Sequence, residues 1–298
     1  MPKSKHMSKD IQPANSKTAS FEVFRYQLVV DKAFQPDAFQ HQYHSFSELK
    51  AAKNKIFDSI ITENKFNFDA AKSETTSQLV HHNGDMYYFM LNVRRDKKIP
   101  KKDFTEDVID TYPKVLVAIN NNPNVQKIAI QSNPSAFKKT SIVANFIKDT
   151  VQKHIKSYNI AFAVEPTFEA QQFWSLVKAY PKQVKQVTFN LVSPNITNIS
   201  EDLKFDLRTL NNDTNTQVTK LELNADKGSY LVLDEKSKLV NSIVNYAAFG
   251  GGDIGVKLDG LSKKLHTAQS VKDFSVDEQL LKSTNWEAID KAFKDILI

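Results

Sequence analysis

The chain has 298 residues, of which 41% are hydrophobic and 25% are charged, a composition typical of a globular protein with a sizeable core in one large domain or two modest ones. It has a net charge of +6 and no cysteine, which excludes thiolate catalysis, disulfides and cysteine-based zinc sites. Residues 1–19 lack the apolar core of a signal peptide and no run approaches the ~20 apolar residues of a membrane helix, so we expect a disordered basic tail, a cytoplasmic location and no membrane contact.

The first predicted elements are a strand and a capped helix. Residues 21–30 are rich in aromatic and β-branched side chains, which favours a strand. Apolar residues then recur at helical spacing, beginning with Leu49. Ser45 and Glu48 have the spacing of a capping box, in which each side chain accepts a hydrogen bond from a backbone N–H at the helix start. We therefore expect a helix that begins just after Ser45.

Two hairpins follow this helix. Residues 77–93 contain two strand patterns joined by Asn83-Gly84, a dipeptide typical of tight hairpin turns. Residues 114–133 repeat the arrangement with a longer loop. The first hairpin contains Tyr87, Tyr88 and Phe89 in succession. Because side chains alternate between the faces of a strand, at least one ring belongs to the core, while alternate rings on an exposed face would stack unpaired bases.

All the excess positive charge lies in the first half of the chain. Residues 1–150 contain 22 basic and 16 acidic residues, whereas residues 151–298 contain 18 of each. The densest cluster is the stretch RRDKKIPKKD, whose basic residues are Arg94, Arg95, Lys97, Lys98, Lys101 and Lys102. Such a cluster attracts phosphates by charge and by counterion release. The alternative is a solvated loop after a strand, which Pro100 favours.

Strand and helix patterns also alternate in the second half. We expect strands at residues 160–165, 184–192, 218–223 and 230–233, and an amphipathic helix at 286–296 that closes the chain. The whole pattern predicts an α+β, or mixed α/β, fold of hairpins and helices around mixed sheets, with ferredoxin-like subunits as one form of it.

A domain boundary is expected where Pro100 and Pro113 interrupt a polar stretch. It separates an N-terminal basic α+β domain, residues 20–105, from a C-terminal α/β domain, residues 106–298. A single domain is the alternative.

Five of the seven glycines lie between Gly250 and Gly260. Phosphate-binding loops place glycines between a strand and the helix that follows it, whereas here a helix precedes the glycines and a strand follows. We expect Gly250 to end the helix in the left-handed conformation, with Gly251 and Gly252 in a tight reversal. The alternative is a binding loop in which the bare backbone of Gly251 and Gly252 is exposed to a nucleic acid.

The order of helix, glycine-rich loop and strand over residues 246–260 resembles the RNA-binding loop of the RAMP superfamily of CRISPR-associated proteins, although the glycine spacing differs. The domains of that superfamily are ferredoxin-like and also mix hairpins with helices. The resemblance implies an RNA-binding role for the loop.

Catalytic motifs are sparse. Asp37, Glu48 and Lys50 follow the PD…ExK order of metal-dependent nucleases, in which two acids bind a divalent cation and a lysine orients the attacking water. In that chemistry the acids stand on adjoining strands, whereas Glu48 has the position of a helix cap. We predict no cofactor and no resident metal.

The histidines suggest two further sites. His41 and His44 have the spacing of two metal ligands on one helical face, although a loop is the expected structure there. His81 and His82 flank the hairpin turn opposite Asp85, as an acid–base pair or as an exposed hairpin tip.

The chain has only four arginines, and arginine is the residue best shaped for reading bases, so sequence-specific recognition is disfavoured. Our first hypothesis is therefore a non-enzymatic nucleic-acid-binding protein that contacts the backbone through lysines and works with a protein partner. The alternatives are a protein-binding component of a bacterial or phage defence system and a metal-dependent nuclease. The oligomeric state is left open.

Overall fold

The computed structural model describes residues 17–32, 43–63, 74–193, 201–267 and 270–297. These residues form helices and antiparallel sheets, which confirms the predicted α+β class. The strands are β1 (Thr18–Val30), β2 (Thr75–Asn83), β3 (Met86–Val93), β4 (Arg95–Pro100), β5 (Glu106–Thr111), β6 (Lys114–Asn120), β7 (Lys127–Gln131), β8 (Ile160–Pro166), β9 (Val184–Val192), β10 (Val218–Asn224), β11 (Gly252–Leu258), β12 (Leu265–His266) and β13 (Asp273–Asp277). The helices are α1 (Phe46–Thr62), α2 (Thr140–Ile155), α3 (Ala170–Ala179), α4 (Glu201–Thr214), α5 (Lys238–Tyr246), α6 (Glu278–Lys282) and α7 (Trp286–Ile296).

The larger sheet has seven antiparallel strands in the order β13-β1-β7-β6-β3-β2, with β8 also beside β1. One edge of β1 bonds to β7, and the other edge is shared by β13, opposite Thr18–Glu22, and β8, opposite Phe24–Val30. Because β1 begins at Thr18, the last residues of the predicted tail belong to the sheet. Residues 1–16 lie outside the described part of the chain.

Both faces of the larger sheet are covered. Phe24, Tyr26 and Leu28 pack with α1 and α2 on one face, while Phe21 and Val23 pack with α7 on the other. A strand that is buried on both faces needs a continuous apolar run rather than an alternating one. This explains the nearly unbroken run of aromatic and aliphatic residues at 21–30.

The larger sheet contains a ferredoxin-like arrangement in expanded form. Helix α1 joins β1 to β2, α2 joins β7 to β8, and both helices pack on the same face. The last strand, β8, lies beside the first, as in the βαββαβ motif. The difference is that a meander of four strands, β2-β3-β6-β7, replaces the central hairpin.

The smaller sheet has four strands in the order β10-β9-β11-β12. Helices α3 and α5 and Leu207 of α4 cover one face, where the core includes Phe173, Phe189 and Ile254. The opposite face is polar because the alternate residues of its strands are polar. In its central row, Gly255 lies beside Thr188, and Thr188 lies beside Glu222.

The two sheets meet at the glycine stretch. A wide helical turn, Ala247–Gly251, follows α5 and packs against β1 and β8. From β1, the Arg25 guanidinium donates to the Phe249 carbonyl at 3.1 Å and the Gln27 amide donates to the Gly250 carbonyl at 3.4 Å. The turn is therefore the joint between the two sheets.

The predicted boundary between residues 105 and 106 does not separate two sheets. The strands β1, β2 and β3 precede it, but they pair within the same sheet as β6, β7, β8 and β13, which follow it. Residues 105 and 106 lie instead at the turn of a separate hairpin formed by β4 and β5. The chain enters the smaller sheet only after β8 and returns to the larger sheet at β13.

One local prediction about secondary structure is wrong, and one helix was missed. Residues 230–233 form no strand, because the Leu231 N–H bonds to the Val184 carbonyl beyond the end of a ladder instead of extending one. Helix α4 was not expected from its polar, asparagine-containing sequence. Within the described ranges, no helix is long and apolar enough to cross a membrane.

Candidate functional site

The basic cluster forms one strand of a hairpin that leaves the larger sheet. Strands β3 and β6 are neighbours, and beyond Val93 and Pro113 the chain continues as β4 and β5, which form a sheet of their own. Their register runs from Arg95 opposite Thr111 to Pro100 opposite Glu106. Six residues of strand extend about 20 Å. We call residues 94–112 the arm.

Acidic residues on β5 pair with basic residues of the cluster. Three ion pairs cross the hairpin: Lys98 with Glu106 at 2.7 Å, Lys101 with Asp107 at 2.5 Å, and Arg94 with Asp110 at 3.0 Å. The hydrogen bond from Arg94 to Asp110 raises the pKa of the arginine. The arm has six basic and five acidic residues, a net charge of +1. Strand pairing thus offsets most of the positive charge that the cluster carries in the sequence.

The remaining basic residues of the arm differ in their surroundings. Arg95 anchors the base of the arm, where its guanidinium donates to the Ala136 carbonyl at 2.6 and 3.1 Å. In the part of the chain that the structure describes, Lys97 and Lys102 make no ion pair. These two lysines are therefore the cations of the arm that remain open to an external anion.

The arm exposes apolar side chains along its length. The exposed fractions are 40% for Ile99, 100% for Phe104, 60% for Val108, 42% for Ile109 and 54% for Tyr112. Phe104 lies at the tip, and its backbone has a φ of +63°. This left-handed conformation is strained for a bulky residue. The arm thus presents a fully exposed aromatic ring on a strained backbone.

Comparison with protein-family models, with curated proteins and with solved structures finds no match.

Gly250, Gly251 and Gly252 are buried, so the exposed binding loop that was the alternative for Gly251 and Gly252 is not formed. Gly250 has the predicted left-handed conformation, with φ +77°. A β-carbon on Gly250 would overlap the Arg25 side chain, and one on Gly252 would overlap the Asn190 carbonyl oxygen. The glycines allow the joint between the sheets to close. The side chain that this turn does expose is Phe249, at 68%.

The three successive aromatics of β3 are all buried, which corrects the base-stacking interpretation. Tyr87 and Phe89 pack beneath α1 and α2, and Tyr88 packs beneath α7. Tyr88 donates to Asp290 at 3.0 Å, and Tyr87 donates to Asp58. Because helices cover both faces of this sheet, no ring of β3 is left for a base.

Glu48 and Ser45 cap the start of α1 in a variant of the predicted capping box, in which the Glu48 carboxylate bonds the N–H of His44 instead of that of Ser45. The Ser45 hydroxyl accepts from the Glu48 N–H at 3.1 Å, and the Glu48 carboxylate accepts from the His44 N–H at 2.8 Å. Glu48 therefore has a structural role at the start of α1, two residues before the exposed Lys50. Asp37 and His41 lie outside the described residues.

His81 and His82 do not form an acid–base pair with Asp85. His81 stacks on Trp286 with ring centroids 5.0 Å apart, and His82 stacks on Tyr87 at 4.2 Å. Asp85 instead accepts a hydrogen bond from the Asn122 side chain at 3.0 Å. Among the described residues, no three His, Asp or Glu side chains form a group that could hold a metal ion.

Two features of the structure had weak signals in the sequence. His266 is 2.5 Å from Asp253 on the polar face of the smaller sheet, a contact set by the pairing of β11 with β12. Phe104 is a single aromatic residue in a polar stretch between two charged strands. That isolation was the available signal for the tip of the arm.

Proposed function

We propose that this chain is a binding protein that docks onto a partner protein through the arm. The observation that carries the proposal is Phe104, a fully exposed phenyl ring at the tip of a projecting hairpin on a strained backbone. Strain and exposure both cost the isolated protein free energy. Burial of the ring in a partner would recover the second cost.

The composition of the rest of the arm supports a protein partner. Exposed apolar side chains lie on both strands, with Ile99 and Ile109 on one face of the arm and Val108 on the other. Exposed apolar side chains of this size are typical of protein interfaces. The ion pairs of the arm are internal. A partner can therefore cover the arm without supplying many charges of its own, because most charges of the arm are already neutralised by ion pairs within the arm.

We keep nucleic-acid binding as a second proposal, carried by the net charge of +6 and by Lys97 and Lys102. The backbone of a nucleic acid offers one negative charge for every ~1.7 Å of duplex, so strong binding needs several uncompensated cations. The pairing on the arm removes most of them. For this reason we favour a protein partner over a nucleic acid. The proposed compartment is the cytoplasm.

The experiment is affinity capture from the source cells, followed by reconstitution with the purified partner. Phe104→Gly removes the ring and relieves the positive φ, so the variant should melt at or above the wild-type temperature. We expect it to bind the reconstituted partner at least about 10-fold more weakly, as for a central aromatic of an interface. The matched control is Val232→Gly, which removes a side chain that is 84% exposed elsewhere.

Three results would separate the proposals. Equal loss of the partner in both variants would contradict a role for the arm. Self-association in analytical ultracentrifugation that disappears in Phe104→Gly would make a second copy the occupant. Binding of labelled single- and double-stranded nucleic acids that is unchanged in Phe104→Gly, but lost on reversal of the charges of Lys97 and Lys102, would favour the second proposal.

A further inference from the structure

Lys53 of α1 is a buried lysine at the place where α1, the end of β1 and α4 meet. Its side chain is only 8% exposed, and its Nζ donates to the Leu28 carbonyl of β1 at 3.2 Å. Just beyond β1, the Lys32 N–H donates to the side chain of Asn215, which follows α4, at 2.9 Å. The Lys32 ammonium group also bonds the Asn212 carbonyl of α4. Helix α4 therefore flanks the same end of β1 as Lys53.

The charges that act on Lys53 are positive. Lys50 lies three residues earlier, on the same side of α1, and Arg208 lies on α4. Burial, followed by the positive charges of Lys50 and Arg208, lowers the pKa of Lys53 from 10.5 to about 8. Among the described residues, no carboxylate forms an ion pair with Lys53. Buried lysines are usually paired with an acid, because an unpaired buried charge is costly. The surroundings of Lys53 therefore oppose its positive charge.

The hydrogen bonding of Lys53 fits a nitrogen that has a single N–H. An ammonium group has three N–H donors, whereas Lys53 Nζ has one acceptor in the described part of the chain, the Leu28 carbonyl. A lysine carbamate, in which Nζ carries a carboxylate, has one N–H. That N–H would keep the bond to Leu28. The carboxylate would be attracted by Lys50 and Arg208, the two charges that repel the ammonium form.

We propose that Lys53 is a site of reversible carbamate formation with carbon dioxide. The lone pair of the neutral Nζ attacks the carbon of CO₂ and forms an N–C bond. An electron pair of one C=O bond moves onto its oxygen, and Nζ releases one proton to water. Carbon dioxide suits a deeply buried amine because it is small and uncharged. The modification replaces a positive charge by a negative one at the junction of α1, β1 and α4, and it does not depend on the role of the arm.

The reactive form is the neutral amine, which makes Lys53 selective. At pH 8 about half of Lys53 is neutral, whereas a lysine with the ordinary pKa of 10.5 is neutral to about 0.3%. Once the carbamate has formed, the nearby cations stabilise it. Both effects act in the same direction, so we expect Lys53 to be modified in preference to the exposed lysines of the same helix.

The test equilibrates the full chain with ¹³C-labelled bicarbonate and dissolved CO₂ at pH 8, and then traps carbamates as esters with a trialkyloxonium salt. Mass spectrometry of the peptides identifies the trapped residue, and ¹³C NMR of an untrapped sample measures the occupancy. We expect Lys53 to be occupied at least about 10-fold more than Lys55, an exposed lysine of α1. The amino terminus of the purified chain, a group whose ordinary pKa is about 8, serves as the positive control.

Two variants and a matched control test the role of the neighbouring charge. Lys53→Met should remove the carbamate resonance of Lys53 and leave that of the amino terminus. Lys50→Met should lower the occupancy of Lys53 by at least about twofold, because it removes both the repulsion of the ammonium and the attraction of the carbamate. The control Lys55→Met should leave the occupancy of Lys53 unchanged.

Thermal melts establish that each variant is folded, and the peptide assignment in wild type needs no variant. The proposal is overturned if wild type carries no carbamate at Lys53 under conditions that modify the amino terminus. It is also overturned if Lys53 and Lys55 are occupied equally, or if folded Lys50→Met keeps the full occupancy.

Discussion

Gly252 is the residue at which the backbone of the joint is most tightly packed. It has φ +154°, and a β-carbon there would overlap the carbonyl of Asn190 on the neighbouring strand β9. Strand pairing holds that carbonyl in place, so it cannot move aside as a flexible side chain would. The glycine is required by close packing of backbone on backbone.

We predict that Gly252→Ala lowers the free energy of unfolding by about 3 kcal/mol or more, the combined cost of overpacking and of backbone strain. Chemical denaturation measures it. The matched control is Gly260→Ala, because Gly260 also has a positive φ, +75°, but has open space around it. That variant should lose only about 1 kcal/mol. Similar losses in the two variants would show that close packing adds nothing at Gly252.

Glu165 is a half-buried acid on β8, where the chain approaches the smaller sheet. Burial raises its pKa from 4.5 to about 7, with the positive charge of Lys148 acting in the opposite direction and the negative charge of Asp253 adding to the rise. The folded state thus favours the protonated acid more than the unfolded state does. Its contribution to stability is fully present below about pH 4.5 and is lost as the pH rises through 7.

We predict that Glu165→Gln, which is neutral at every pH, is more stable than wild type at pH 8 by about 1–3 kcal/mol. The difference should shrink to less than about 1 kcal/mol at pH 5, where the wild-type acid is protonated in the folded protein, and should vanish below about pH 4. Urea denaturation at the two pH values checks this. A variant that is less stable than wild type at pH 8 would show that the ionised carboxylate is stabilised at this place.

At the scale of elements, the arm is an addition to the larger sheet. Strands β3 and β6 pair up to its base, where the Val93 N–H bonds to the Pro113 carbonyl, and the seven-stranded order is complete without β4 and β5. Two arginines at its base hold the arm to the rest of the described structure. Arg95 donates to the Ala136 carbonyl, and the Arg94 N–H donates to the Glu74 carbonyl at 2.9 Å.

We therefore predict that replacement of residues 94–112 by Asn-Gly, a tight turn between Val93 and Pro113, changes the free energy of unfolding by no more than about 1 kcal/mol. Circular dichroism and denaturation are the measurements. The replacement also gives an armless protein for the partner-binding experiment. Loss of cooperative unfolding in this variant would mean that the arm is part of the fold.

At the scale of the whole molecule, the last helix covers strands from the first third of the chain. Phe293 of α7 is fully buried and meets Phe21 and Tyr88 edge to face, at centroid distances of 5.0 and 5.6 Å. Without α7 this face of the sheet would be open. The two ends of the chain therefore complete one core, with the smaller sheet formed by the residues between them.

We predict that Phe293→Ala lowers the free energy of unfolding by about 3–5 kcal/mol, the range for a large cavity in a core. The control, Ile296→Ala, lies one turn later and changes a side chain that is already 38% exposed, so it should lose much less. Thermal and urea denaturation of both variants measure the difference. Equal losses would contradict a core that includes the last helix.

Local sequence patterns determined the elements whose signals are local. The turn at Gly84 and the cap at Ser45 were predictable because turn and cap chemistry depends on residues only a few positions apart. The amphipathic closing helix was predictable for the same reason, since its apolar face repeats with the period of a helix.

The tertiary structure decided the features that depend on pairing between distant or opposed strands. The sequence located the basic cluster correctly. The register of β4 with β5 then decided that acidic residues lie beside its lysines and that the apolar residues of the arm are exposed. The sequence of the glycines is compatible with an exposed loop and with a buried joint. The contacts of Gly250 with Arg25 and of Gly252 with Asn190 decide for the joint. A sequence states which residues carry charge or lack a β-carbon, whereas neutralisation and close approach depend on which neighbours the folded backbone brings within a few ångströms.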